Sequence, residues 1–166
     1  MSILKMWAGN YNTYTHYLMI IKTFDAFSRL SIIQINRVTR FIVGNYSNTR
    51  ETKTAIRKSI MYATKELPGL GGFVFTVEHK NELLAAAVVN KTGMNEYLSE
   101  NILVYLAVKE EYRKKGIANK LIQHIVTYCK GDISIYVQRD DVIMNMFKKF
   151  GFESRNVEMR LERKTK

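Results

Sequence analysis

The chain lacks the residues that mark disulfide-bonded and metal-binding proteins. Its 166 residues include one cysteine, Cys129, so no disulfide can form within the chain, and a reducing compartment is the simplest interpretation. We predict that Cys129 packs on the buried face of a helix and is not a nucleophile. The three histidines, His16, His79 and His124, are scattered without metal-ligand spacing. We therefore predict no metal site.

Long hydrophobic runs are also missing. No apolar run is longer than the seven residues 102–108, a length too short to span a bilayer. The beginning of the chain has no secretory hydrophobic segment. Apolar residues make up 46% of the chain, enough for one domain with a real core. These features predict a soluble cytoplasmic protein without membrane contact.

The most informative stretch is residues 102–122. A run rich in β-branched residues predicts a buried strand over 102–108, and a charged turn follows. Arg113-Lys114-Lys115-Gly116 then leads into a predicted helix. Its apolar stripe consists of Ile117, Ala118, Leu121, Ile122, Ile125 and Cys129. Because the free N–H groups of a helix start bind phosphates, and Gly116 has no Cβ, this turn is predicted to bind an anion.

Arg113, Gly116 and Ala118 form an Arg-x-x-Gly-x-Ala motif that resembles the pyrophosphate-binding motif of the GNAT superfamily of N-acetyltransferases. A predicted strand at 132–137 and a predicted helix at 140–150, closed by Gly151-Phe152, resemble the family's fifth strand and fourth helix. The two blocks cover about residues 100–152. An ordinary βαβα domain with a chance glycine turn is the alternative.

The resemblance implies the GNAT fold, an α/β (α+β) architecture with three α-β-α layers. Its central twisted mixed sheet has six to seven strands in the order β-α-α-β-β-β-α-β-α-β. The pattern before residue 100 predicts a strand at 19–24, a helix from Asp25, a helix at 50–66 capped by Thr49, and hairpin strands at 73–78 and 83–89. It also predicts a doubtful last strand at 157–161.

We divide the chain into an extension over 1–18, a single N-acetyltransferase domain over 19–162 and a frayed basic tail over 163–166. The extension either lies upstream of a natural start at Met19 or is an arm that packs on a partner. Both interpretations stay open, as does a homodimer.

The resemblance also implies the reaction. Acetyl-CoA would be the acyl donor, and a primary amine would attack it directly in a ternary complex. The pantetheine arm would pair with the strand, and the pyrophosphate would lie on the turn. The residues that this match assigns to the cofactor are Leu106, Ala107, Val108, Arg113, Lys114, Lys115, Gly116, Ile117, Ala118 and Asn119. Lys148 is a weaker candidate for the nucleotide's phosphate.

Two positions depart from the family pattern. Phe147 stands where the family usually has a tyrosine acid, and Ile102 stands where some members carry a glutamate base. Glu100 lies two residues before Ile102 on the same strand face, and it is predicted to act as base through a water; the alternative is an exposed glutamate. The departures leave open a CoA-binding regulatory module without efficient turnover.

Positive charge is concentrated early in the chain. Residues 29–66 contain eight lysines and arginines and two glutamates, whereas residues 67–108 contain two lysines and four glutamates. This excess indicates either a solvated helix face or a site for an acidic partner such as RNA, a ribosome or an acidic protein surface. The acceptor amine stays open among a polyamine, an amino sugar, a protein N-terminus and a lysine.

Overall fold

A computed structural model describes residues 5–6, 19–46, 52–94, 96–137, 142–155, 157–159, 161 and 163. It divides into two units, Met1–Tyr136 and Val137–Lys166. No helix within the described ranges combines the length and apolarity that crossing a bilayer requires.

One sheet organises the first unit. Its six strands lie in chain order, β1 (Lys5–Met6), β2 (Ile20–Phe24), β3 (Gly72–His79), β4 (Glu82–Lys91), β5 (Asn101–Val108) and β6 (Ile133–Ile135). Every neighbouring pair is antiparallel except β5 and β6, which are parallel. The helices of this unit are α1 (Ile32–Asn45), α2 (Lys53–Ala63) and α3 (Ile117–Tyr128). From β2 onwards the predicted element order is confirmed through the last helix, α4 (Val142–Lys148), in the second unit.

The two faces of the sheet carry different helices. Side chains alternate between the faces of a strand, so Val74 and Phe75 of β3 point in opposite directions. Val74 belongs to a core cluster with residues of α1 and α2, whereas Phe75 meets the rings of His124 and Tyr128 on α3. Three α-β-α layers result, as the family resemblance implies. Cys129 is buried at the end of α3, as expected, and burial raises the pKa of its thiol to about 12.

Both early helices begin later than the hydrophobic pattern indicates. α1 starts at Ile32, because the side chain of Asp25 accepts the N–H groups of Phe27 and Ser28 and so stabilises a turn. Ser31 then caps α1 in a capping box with Gln34. α2 is capped by Thr52, whose hydroxyl accepts the N–H of Ala55. The predicted cap, Thr49, lies outside the described residues.

The ends of the chain differ from the prediction. The predicted last strand is not found, since described residues 157–159 and 161 have no regular structure. Val157, Met159 and Leu161 are 77%, 94% and 78% exposed, so their alternating pattern buries no apolar face. At the other end, Lys5–Met6 pairs with Ile20 and Ile21. The assignment of 1–18 as an extension stays a prediction.

A buried amide fastens the start of β5 to the turn before β6. Asn101 is 2% exposed, and its Nδ2 donates to the carbonyl of Lys130 at 2.8 Å and to that of Asp132 at 3.3 Å. Its backbone N–H also donates to the Asp132 carbonyl, at 3.0 Å. Burial without these partners would be costly, because an unpaired buried polar group loses its hydration. Asn101 therefore holds β6 in register beside β5.

Asn101→Ala is expected to lower the free energy of unfolding by about 2 kcal/mol, because it removes two hydrogen bonds that a buried amide donates. Chemical denaturation measures the change. Asn90→Ala is the matched control: Asn90 donates to Ser59 Oγ, but its Oδ1 is buried with no hydrogen-bond partner among the described residues. Its loss should cost about 1 kcal/mol or less. Equal losses for the two variants would contradict a special role for Asn101.

Candidate functional site

β5 and β6 separate at one edge of the described sheet, partway along β5. Among the described residues, their pairing covers Asn101 to Leu103 on β5 and Ile133 to Ile135 on β6. On the other side of β5, Leu103 pairs with Val89 and Tyr105 with Val88, so Val104 is an extra residue without a partner in β4. Such a bulge bends a strand and increases its local twist. The bulge at Val104 therefore coincides with the point where β6 leaves the sheet.

Beyond Val104, β5 has an open edge. The N–H of Lys109 donates to the carbonyl of Leu84 at 2.9 Å, so Lys109 faces β4. Backbone groups alternate along an antiparallel strand, and Leu106 and Val108 must therefore direct their N–H and C=O groups away from β4. Within the described chain, β6 does not reach these groups. They offer an extended ligand the pairing that a neighbouring strand would give.

The turn before α3 supplies a second set of free donors. Gly116 has φ +79°, a left-handed conformation that favours glycine, and it provides no side-chain cap for α3. The backbone N–H groups of residues 114–119 have no hydrogen-bond partner among the described residues. A Cβ built on Gly116 would meet nothing within 4 Å, so the backbone is open to an approaching ligand.

The two sets of donors fit the parts of a coenzyme A molecule. The uncapped N–H groups at the positive end of the α3 dipole suit a diphosphate. The open edge suits an extended amide-containing arm, because Leu106 offers one donor and one acceptor and Val108 offers its N–H, while the Val108 carbonyl already accepts Arg113 Nε. The structure thus brings together the two halves of the predicted cofactor site, from 106–108 and from 113–119.

The charged side chains around this turn are already partly engaged. Lys109 forms ion pairs with Glu82 and Glu111, and the hydrogen bond to Lys109 lowers the pKa of the exposed Glu82 carboxyl. Lys115 lies over the Tyr112 ring, 4.9 Å from its centroid. Lys114 has a positive φ of 60°. Arg113 donates from Nε to the carbonyl of Val108 at 3.3 Å and from Nη2 to the carbonyl of Asn45 at 2.9 Å.

The predicted base, Glu100, lies at the other end of β5. Its carboxylate accepts the backbone N–H of Asp132 at 2.7 Å and lies against Gly131. Glu100 and Asn101 therefore hold the same turn, one from each side. In the second unit, Phe147 is buried with its ring 5.1 Å from that of Phe152. Within the described residues, no group of three histidine, cysteine, aspartate or glutamate side chains could hold a metal ion.

Sequence reasoning missed an aromatic pair beside the opening. Tyr46, the C-cap of α1, packs edge-on against Tyr105 of β5 with ring centroids 5.4 Å apart. Tyr105 directly follows the bulge residue Val104 and belongs to the core cluster on the α1 and α2 face. The two tyrosines are 59 residues apart in the chain, so no local pattern indicates their contact.

Comparisons with known proteins identify the family and the fold. Residues 71–154 match the sequence model of the acetyltransferase (GNAT) domain, which is half of the chain. Cysteine-rich protein 2-binding protein from Mus musculus is 33% identical over 57 residues, and its Homo sapiens counterpart matches equally. The match covers 34% of this chain and 7% of the mouse protein, so the chain spans only a small part of these curated relatives.

Solved structures share the fold at low identity. A possible acetyltransferase from Clostridium difficile 630 gives a TM-score of 0.65 at 14% identity, covering 89% of this chain and 99% of its own. An aminoglycoside N-acetyltransferase in complex with CoA gives a TM-score of 0.63 at 12% identity, and the match covers 92% of this chain and 99% of that protein. The ribosomal-protein-S18-alanine N-acetyltransferase from Escherichia coli gives a TM-score of 0.62 at 12% identity, and the match covers 83% of this chain and 79% of that protein.

Gly116→Asp is expected to weaken coenzyme A binding at least 100-fold with the fold kept, because it puts a carboxylate where a diphosphate meets free N–H groups. Calorimetric titration measures the affinity, and thermal unfolding checks the fold. Gly116→Asn is the matched control, since asparagine has the same shape, tolerates positive φ and carries no charge. It should lose about ten-fold or less. Parental affinity in the aspartate variant would contradict the assignment of this turn.

Proposed function

The chain belongs to the GNAT acetyltransferases, whose acyl donor is acetyl-CoA, and we propose that it transfers the acetyl group to a primary amine. The amine attacks the thioester directly while both substrates are bound, and coenzyme A leaves as the thiol. The buried free cysteine, Cys129, is compatible with a reducing compartment, and we propose the cytoplasm as the location.

The observation that carries this proposal is the open edge of β5 beside the uncapped start of α3. Direct transfer needs a thioester held still, and two separate anchors on one molecule achieve that. Free N–H groups at 114–119 can hold the diphosphate, while Leu106 and Val108 can hold the pantetheine arm. The arm then runs along β5 towards Val104, where the sheet opens.

The fold alone does not select the amine. The matched structures include an enzyme named for aminoglycosides and one named for a ribosomal-protein alanine, so the same architecture serves small and protein acceptors. Coenzyme A thiol release should therefore be measured over a panel containing a polyamine, an aminoglycoside, a lysine peptide and a free N-terminal peptide. Thiol release with one class of amine supports transfer. Tight coenzyme A binding without thiol release supports a regulatory CoA-binding module instead.

We propose Glu100 as the base that acts on the attacking amine through a water. Its carboxylate is at the start of β5, and the one contact described for it is the Asp132 N–H, which leaves lone pairs for a water. The same contact has a structural value, because it stabilises the turn around Gly131. A variant must therefore remove the basicity and keep the hydrogen bond.

Glu100→Gln meets this requirement, because a glutamine oxygen can still accept the Asp132 N–H. If Glu100 is the base, kcat with the reactive amine is expected to fall about 100-fold, the usual size of general base assistance. The affinity for coenzyme A and the melting temperature should stay at parental values. Glu100→Ala, which removes both properties, should also lower the melting temperature. Parental kcat in the glutamine variant would leave Glu100 as a turn residue only.

We further propose that α2 binds RNA. Arg29 and Arg37 are paired with Glu66 and Glu78, which neutralises part of the early positive charge. By contrast, Lys53, Arg57 and Lys58 have no carboxylate within 4.0 Å in the described part of the chain. They line an open surface pocket of about 380 Å³ together with Thr54, Met61 and Leu67. Lys53 and Lys58 are exposed, whereas Arg57 is half-buried and donates from Nη1 to Asn36 Oδ1. Cations without an ion pair on one helix suit closely spaced phosphates.

Reversing Lys53, Arg57 and Lys58 to glutamate is expected to lower affinity for bulk RNA at low salt by orders of magnitude, since each lost phosphate contact removes counterion release. Filter binding over a salt series measures the affinity and its salt slope. Coenzyme A affinity should hardly change, because the cofactor site lies on β5 and α3.

A matched control reverses Lys80, Lys130 and Lys149, which are exposed and distributed over the chain. It makes the same change in net charge but leaves α2 intact, so RNA affinity should fall much less. Equal losses in the two triple variants would assign RNA binding to net charge alone. No RNA binding by the parent would leave α2 as a solvated helix face.

A further inference from the structure

Arg113 connects two parts of the molecule that are far apart in the sequence. It is the first residue of the cofactor turn, yet its guanidinium bonds to the carbonyl of Asn45, the last residue of α1, at 2.9 Å. Its Nε bonds to the carbonyl of Val108, at the end of β5. One side chain thus links the cofactor turn, the open strand edge and the end of α1.

Both carbonyls are favourable partners for a guanidinium. The carbonyls of the last turn of a helix have no acceptor role inside the helix, and they lie at the negative end of its dipole. The Val108 carbonyl points away from β4 and lacks a strand partner among the described residues. Arg113 satisfies both groups with a planar fork, which a lysine ammonium cannot reproduce.

The link to α1 matters because the end of α1 lies beside the point where the sheet opens. Next to Asn45, Tyr46 packs on Tyr105, which directly follows the bulge residue Val104. An arm bound along the open edge of β5 would bring its thioester towards Val104. The end of α1 therefore forms one side of the place where an amine must meet the thioester.

We propose that Arg113 is a positioning residue that holds the end of α1 against β5, and that it is not a ligand of the diphosphate. This inference rests on the proposed function and assigns the turn two separate tasks. Backbone N–H groups bind the phosphates, while the arginine side chain fixes the amine-facing wall. It also leaves the Val108 N–H, with both backbone groups of Leu106, for the pantetheine arm.

Arg113→Lys and Arg113→Gln separate the two roles, because lysine keeps the charge and loses the fork. If Arg113 bridges the two carbonyls, both variants should speed hydrogen exchange in the last turn of α1 about five-fold in the free protein. Both should bind coenzyme A within about three-fold of the parent, a small loss for an exposed charge. In thiol-release kinetics, KM for the amine should rise about ten-fold in both variants, with KM for acetyl-CoA within about two-fold.

Lys114→Gln is the matched control, since it removes a neighbouring exposed charge and leaves α1 untouched. Its affinity for coenzyme A should equal that of Arg113→Gln. Its hydrogen exchange in the last turn of α1 should equal that of the parent. Parental α1 exchange in both Arg113 variants would overturn the inference. It would also be overturned if the glutamine variant lost coenzyme A affinity 30-fold or more while the lysine variant kept it. Failure of the parent to bind coenzyme A would refute the proposed function, and the exchange data would still decide whether Arg113 holds α1.

Discussion

The structure depends on one constraint: in the described chain, the second half of β5 has no strand partner on the side facing away from β4. An unpaired strand edge presents backbone donors and acceptors that must find partners in water, in a ligand or in another chain. In the part of the chain that the structure describes, β6 pairs with three residues of β5 and leaves the sheet at the Val104 bulge. The edge that remains, at Leu106 and Val108, is continuous with the turn before α3. A ligand with a flat extended arm and a diphosphate satisfies both at once.

Contacts at the two ends of β5 keep this opening in place. At its start, Glu100 and Asn101 hold the turn before β6, so the strand is fixed in register before the two separate. At its end, Arg113 ties the Val108 carbonyl to α1. α1 packs against β5 where Tyr46 meets Tyr105, and α3 lies on the opposite face of the sheet, against Phe75 of β3. A rigid sheet with one local opening suits a reaction that depends on positioning.

The basic residues of α2 and those of the cofactor turn differ in their ion pairing. Around the turn, acidic side chains accompany the lysines, as where Glu82 and Glu111 pair with Lys109. On α2, the basic residues border a shallow pocket without such partners in the described chain. The residues of this pocket are distinct from those of β5 and α3, so acyl transfer and the proposed partner binding can be tested with separate variants.

Local sequence was sufficient to predict the strand, glycine turn and helix at 102–122, because their signals lie within a few residues: an apolar run, a residue that accepts positive φ and a helical stripe. It also predicted the order of elements and the packing of Cys129. Distant contacts decided the rest. The separation at Val104 depends on how β4, β5 and β6 pair, and the partners of Arg113 and Glu100 come from α1 and from the turn before β6. The start of α1 at Ile32, after its cap Ser31, reflects competition from the Asp25 side chain. The alternation at 157–161 forms no strand in the described residues, where its apolar side chains stay exposed. Periodicity states which side chains could share a face, but only tertiary packing determines which backbone groups remain without a partner.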